Sequence, residues 1–148
     1  MNNEKKLELL APAGNFDCLK SAVSAGADAV YLGLETLNAR RGAGNFSSEQ
    51  LKEAARFARC EGVKTYLTLN THISFRETGQ AARALELAAE AGIEAVLITD
   101  PMFIELAGSF PELDFHFSTQ AGIENSMGVQ FASRAGIKRA VLARELSE

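Results

Sequence analysis

Arg40 and Arg41 sit in the stretch NARRGAGNFS, residues 38 to 47, between regular apolar runs. Guanidinium forks grip carboxylate or phosphate through paired N–H bonds. Gly42 and Gly44 would let the backbone come close to a ligand. The stretch lacks the Gly-Lys-Ser/Thr ending of a nucleotide phosphate loop and contains no G-x-G-x-x-G. Three readings stand for it: an anion cradle, a substrate loop, or a connection whose glycines serve a turn.

The other polar residues with chemical potential are scattered along the chain. They are Asn15, Asn70, Ser118, Gln120, Arg144 and Glu145. His72 and His116 are the two histidines. His72 falls in a loop, where an imidazole serves as acid or base near neutral pH. His116 falls mid-strand and reads as a hydrogen-bonded interior residue. No H-E-x-x-H and no His/Cys ligand spacing occurs, so a metal site complete within the chain is not expected. Asp100 precedes Pro101, which reads as a helix cap before it reads as a catalytic acid. Arg144 and Glu145 pair either with a ligand or with each other and their neighbours. No nucleophile–base pair can be argued from spacing.

These residues need a scaffold, and the hydrophobic pattern supplies one. Short β-type runs at 7–11, 29–33, 64–70, 95–100, 115–120 and 139–144 alternate with helical runs near 16–25, 48–60, 78–91, 101–108 and 126–135. Such alternation predicts βαβ units and a parallel sheet. Four helices run into Ala25-Gly26-Ala27, Glu61-Gly62-Val63, Ala91-Gly92-Ile93 and Ala135-Gly136-Ile137, each leading at once into a strand. Glycine just past a helix takes the left-handed conformation without a steric cost. Ser47-Ser48-Glu49-Gln50 fits a capping box that opens the helix 48–60.

Two strands alternate instead of being apolar on both faces. Tyr66, Thr68 and Asn70 oppose Leu67 and Leu69, and His116, Ser118 and Gln120 oppose Phe115, Phe117 and Thr119. An open doubly wound sheet, covered by helices on both sides, tends to apolar runs. The pattern favours a (β/α)8 TIM-barrel-like α/β fold with about six of its βα units in this chain, over an open sheet. Residues 1–148 read as the N-terminal part of that barrel domain, since eight units take roughly 250 residues. Its first and last strands would be open edges, which predicts self-association. Ligands of such barrels meet the loops after the strands, so Asn15, Arg40, Arg41, Asn70, Ser118, Gln120, Arg144 and Glu145 are expected at one mouth.

Composition agrees with a globular domain: of 148 residues, 47% are apolar and 23% charged. The formal net charge of −4 speaks against non-specific coating of nucleic acid. No signal segment or membrane span is evident, so a cytoplasmic protein without membrane association is expected. Cys18 and Cys60 are the two cysteines and stand in no ligand or redox spacing.

The segments ELLAPAGNFDCLKSAVSAGADAVYLG, NARRGAGNFS, TYLTLNT, ITDPMFIEL, HFSTQAGIEN and KRAVLARELS follow in order. Together they resemble the N-terminal part of the collagenase-like peptidase family U32, over about residues 7 to 147. The resemblance implies a (β/α) barrel. Members carry peptidase or collagenase labels, while others support hydroxylation of tRNA uridine, ribosomal RNA cytidine or a ubiquinone precursor without molecular oxygen. Prephenate is implicated in several of these, so a small anionic ligand of the prephenate kind is implied as partner, with RNA or peptide as the substrate of the full-length protein. The resemblance also implies an iron–sulfur cluster in the full-length protein, held by four downstream cysteines. Cys18 and Cys60 do not match that ligand motif, so no cofactor is expected on this chain and the chain alone is expected to be inactive. The positions that carry over are Asn15, Arg40, Asn70, Ser118 and Gln120 of the Ser-Thr-Gln motif, and Arg144 and Glu145 of Arg-Glu-Leu. Two other functions stay open beside hydroxylation: a peptidase, and a non-catalytic subunit whose mouth binds a ligand.

Overall fold

The computed structural model describes residues 7–38 and 44–146. Among these residues, six strands and five α-helices alternate. They are β1 (Leu10–Pro12), α1 (Phe16–Ser24), β2 (Ala29–Gly33), α2 (Ser48–Cys60), β3 (Lys64–Leu69), α3 (Thr78–Ala91), β4 (Ala95–Ile98), α4 (Met102–Ala107), β5 (Asp114–Phe117), α5 (Ser126–Arg134) and β6 (Arg139–Ala140). Short 3-10 turns at Phe75–Glu77 and Thr119–Ala121 follow β3 and β5.

All strand pairs are parallel, and the sheet order is β1-β2-β3-β4-β5-β6. A doubly wound sheet reverses its strand order at a switch point. This one never does, and it curls into a partial (β/α)8 barrel. The outward strand residues Val30, Leu32, Leu67, Leu69, Val96, Ile98, Phe115 and Phe117 join one large core with Leu19, Leu51, Leu85 and Phe103 of the helices. Burying each such side chain stabilises the fold by about 1.5–3 kcal/mol. Alanines at 54, 55 and 58 of α2 and at 81, 84 and 88 of α3 form the faces turned to that core. A second, smaller cluster of Ala29, Tyr66, Ala95 and Leu97, with Leu10 and Tyr31 against it, fills the concave side.

The punctuation is as the sequence implies. Gly26, Gly62, Gly92 and Gly136 all have positive φ, between 69° and 86°. Ser47 accepts from Gln50 N, while the Gln50 side chain accepts from Ser47 N, which completes the capping box. The edge strands depart from expectation. β1 covers residues 10–12 and β6 only 139–140, against 7–11 and 139–144 from the pattern. An edge strand has one neighbour, so its ladder ends where that neighbour bends away. β5 likewise ends at Phe117, because Ser118 leads straight into a 3-10 turn.

Candidate functional site

The concave face is divided by chemistry along the strands. At the strands' N-terminal ends lies a charged cluster. Glu8 accepts from Arg139 Nη1 at 2.6 Å, from the Tyr66 hydroxyl at 2.9 Å and from Lys64 Nζ at 3.1 Å. Arg139, foremost, with Lys64 and Tyr66, holds the Glu8 carboxyl down at about 2. Burial, then the hydrogen bond to Glu8 and its charge, push the Tyr66 phenol up to about 12. His116 packs edge-on to Tyr66 at 5.2 Å between centroids. Burial, reinforced by the Arg139 charge, lowers its imidazole to about 4, so it is neutral at physiological pH. His116 is therefore an interior residue at the closed end.

At the opposite end, the strand termini surround a cavity of about 300 Å³. Pro12, Ala13 and Gly14 line it after β1, Tyr31 and Gly33 from β2, and Thr68 and Asn70 from β3 and its end. Leu97 comes from β4, Ser118 to Gln120 from the end of β5, and Val141 and Arg144 from beyond β6. Asn38, Gly44 and Asn45 of the loop after β2 complete the wall. Among these described lining residues Arg144 carries the charge; the rest offer amides, hydroxyls, a phenol and apolar surface.

Four expected residues thus converge: Asn70, Ser118, Gln120 and Arg144. Asn15 does not join them, because its side chain accepts from Cys18 N at 2.8 Å and caps α1. Glu145 is exposed and does not line the cavity. Arg40 and Arg41 lie outside the described residues. Asp100 acts as a cap: its two carboxylate oxygens accept from Met102 N and from Ile73 N, both at 2.9 Å. It so ties the loop after β3 to the start of α4.

The loop after β2 is held by side chains that the sequence reading passed over. Asn38 is buried, and its Nδ2 donates to Asn45 Oδ1 at 2.7 Å. A Cβ on Gly33 would sit 1.9 Å from Asn38 Nδ2, so Gly33 is the space into which Asn38 fits. Leu37 takes a positive φ of 59° and is buried, a conformation that leucine adopts only when its surroundings demand it. Gly44 approaches the Gly14 carbonyl so closely that a Cβ would be 2.6 Å from it. Its missing side chain therefore serves contact between two loops of the protein. Asn38 and Asn45 both belong to the stretch NARRGAGNFS, on either side of its two arginines.

Residues 14–148 match the sequence profile of Peptidase family U32. The chain belongs to this family. Among its relatives, "tRNA hydroxylation protein P1" of Bacillus subtilis is 39% identical over 97% of this chain and 34% of that protein. "Collagenase" of Porphyromonas gingivalis is 38% identical over 98% of this chain and 35% of its own length. "tRNA hydroxylation protein P" of Escherichia coli is 35% identical over 96% of this chain and 32% of its own. The chain thus spans about a third of the length of these U32 relatives. A solved U32 peptidase superimposes with a TM-score of 0.72 at 14% identity, covering 93% of this chain and 58% of that one. Deoxyribose phosphate aldolase from Aeropyrum pernix follows with a TM-score of 0.68 at 15% identity, over 91% of this chain and 64% of that one. At such identities these two likenesses concern the fold.

The U32 chain offers no metal or cluster site of its own among the described residues. No three His, Cys, Asp or Glu side chains stand together as ligands. Cys18 and Cys60 are exposed on α1 and α2. This donor set does not fit an iron–sulfur cluster. Among the described residues, no helix is long and apolar enough to cross a membrane.

Proposed function

We propose that this chain forms the ligand-holding part of a U32 enzyme that hydroxylates RNA without molecular oxygen, with the cavity at the strands' C-terminal ends as its binding site. One observation carries the reading. The polar side chains of the described cavity wall are amides, hydroxyls and Arg144, with no His, Cys, Asp, Glu or Lys among them. Such a wall holds and orients a ligand. It offers no base beside Ser118 or Thr68 to turn a hydroxyl into a nucleophile.

In this reading Arg144 pairs with an anionic group, a carboxylate of a prephenate-like donor or a phosphate. Asn70 and Gln120 orient neutral polar groups. Arg40, in the same loop sequence as the cavity-lining Asn38 and Asn45, is a second candidate for the anionic group. A redox cofactor of such a hydroxylation belongs to other parts of a longer protein, since Cys18 and Cys60 cannot hold a cluster. Relatives named for tRNA hydroxylation support the RNA class.

The test is deletion of the full-length gene and complementation with wild type or Arg144→Ala, grown anaerobically, with nucleosides measured by mass spectrometry. A hydroxylated nucleoside should vanish on deletion, return with wild type and stay low with the variant. Identical nucleosides in all strains would sink the reading. The second reading, a peptidase, is favoured by the relative named collagenase. Cleavage of denatured collagen by the pure full-length protein, abolished by a cavity substitution, would put it first.

A further inference from the structure

Phe75 is 91% exposed, yet it stands on a turn held by side-chain as well as backbone hydrogen bonds. It opens the 3-10 turn Phe75–Glu77 in the loop after β3. Ser74 Oγ and N both donate to Glu77 Oε2, at 2.6 and 2.9 Å. Thr78 Oγ1 donates to the Phe75 carbonyl at 2.9 Å, and Glu77 N to the Ser74 carbonyl at 2.8 Å. Just upstream, Ile73 N donates to Asp100 Oδ2 at 2.9 Å. Five hydrogen bonds therefore hold in place an aromatic ring that contributes almost nothing to the core. An exposed phenyl ring forgoes the gain of burial, while the ordered turn spares an incoming ring the entropy of arranging it.

Its position and neighbours point to the occupant. The loops after the strands share one face with the cavity. Asn70, in the cavity wall, is five residues upstream of Phe75, so the ring is within roughly 18 Å of that wall by chain length alone. That is a reach of a few nucleotides of single strand. Arg76 is exposed beside it, and His72 is 83% exposed on the same loop. A polypeptide docked by its backbone needs an open strand edge or free main-chain donors. Here the N–H groups of Ile73, Ser74 and Glu77 are already engaged. What the turn offers is an exposed π-face on an ordered backbone, followed at once in sequence by an exposed arginine, which suits a stacked base and its phosphate. The net charge of −4 requires such binding to be local and not a general coating.

We propose that Phe75, flanked by Arg76, is a stacking platform at the mouth for an unpaired base of single-stranded RNA, beside the nucleotide whose base reaches the cavity. The inference rests on the RNA reading of the cavity. The probe is a short fluorescein-labelled single-stranded RNA titrated with the full chain, followed by anisotropy at several salt concentrations. Phe75→Ala should raise Kd roughly tenfold or more, the scale of one lost stacking contact, and Phe75→Trp should restore or tighten binding. Arg76→Ala should weaken binding and reduce the salt slope by about one phosphate contact. Circular dichroism should be unchanged, because the ring is 91% exposed. If wild type binds and Phe75→Ala binds equally well, the platform is wrong and the RNA reading stands. If wild type with an intact fold binds no RNA, both fall. Phe75-dependent binding of denatured collagen, in place of RNA, would also overturn the proposal.

Discussion

Arg139 Nη1 donates to Glu8 Oε1 across 2.6 Å, although the two residues stand 131 positions apart. The pair ties the entry to β1 to the start of β6, which can meet only because the sheet between them curls. Arg139 also lies over the Tyr66 ring at 5.6 Å. The closed end of the fold is thus drawn together by ion pairing, while the described lining of the open end combines Arg144 with neutral polar and apolar groups.

Glu8→Gln should destabilise the chain by about 1–3 kcal/mol at neutral pH, the worth of a charge-assisted hydrogen bond. The pH dependence has a definite sign. The folded pKa of Glu8 is about 2, below its ordinary value of 4.5. Its contribution is therefore complete above about 4.5 and is lost as pH falls toward 2. Urea titrations between pH 2 and 7 should show this acid limb in wild type and a flatter one in the variant.

His116 supplies a second, earlier limb. With a folded pKa of about 4 against an ordinary 6.5, it favours the fold fully above 6.5 and progressively less as pH falls to 4. Tyr66 acts at the other extreme. Its phenol, raised from 10 to about 12, keeps its full contribution below pH 10 and loses it as pH rises through 12. NMR should place the His116 midpoint near 4; a midpoint near 6.5 would mean the ring is solvated.

Gly33→Ala should disturb the mouth before it disturbs the core. The new Cβ meets the Asn38 amide, which must leave its place beside Asn45. The expected loss of stability is about 1–3 kcal/mol, typical of overpacking. Affinity for an anionic ligand should fall as well, since Asn38 and Asn45 line the cavity. Calorimetry on wild type and variant with prephenate would separate the two effects, and unchanged affinity would remove the asparagine clip from the site.

Arg144→Ala should weaken binding of a carboxylate ligand by roughly tenfold or more, the scale of a lost charge-assisted bond of 1.5–3 kcal/mol. Arg144 is exposed, so melting temperature should hardly change. Arg40→Ala in the full-length protein should act in the same direction with the fold intact. An unaltered Kd for Arg40→Ala would make the arginine pair a solvated connection.

The chain by itself should self-associate. Leu7 and Leu9 beside β1, and Met127, Phe131, Leu142 and Leu146 around β6, are exposed large apolar residues at or near the two ends of the sheet. Sedimentation at rising concentration should show species heavier than the 15.9 kDa monomer. A monomer with the same cooperative melt at every concentration would contradict this.

The amino-acid sequence alone determined the local structure. Period and punctuation set the alternation of six strands with five helices, the glycines after the helices, the Ser47–Gln50 box and the direction in which Tyr66, Thr68 and Asn70 point, because each depends on residues a few positions apart. It also placed Asn70, Ser118, Gln120 and Arg144 at the C-terminal ends of strands, and hence at one end of a barrel. The tertiary structure decided which polar groups converge and which are already engaged. Asn15 and Asp100 are used as caps, Asn38 and Asn45 clasp each other beneath Gly33, and Glu8 finds Arg139 from the far end of the chain. Alternation tells a side chain which way to face, but its partners follow from the curl and register of six strands, and those are set only when distant segments pack.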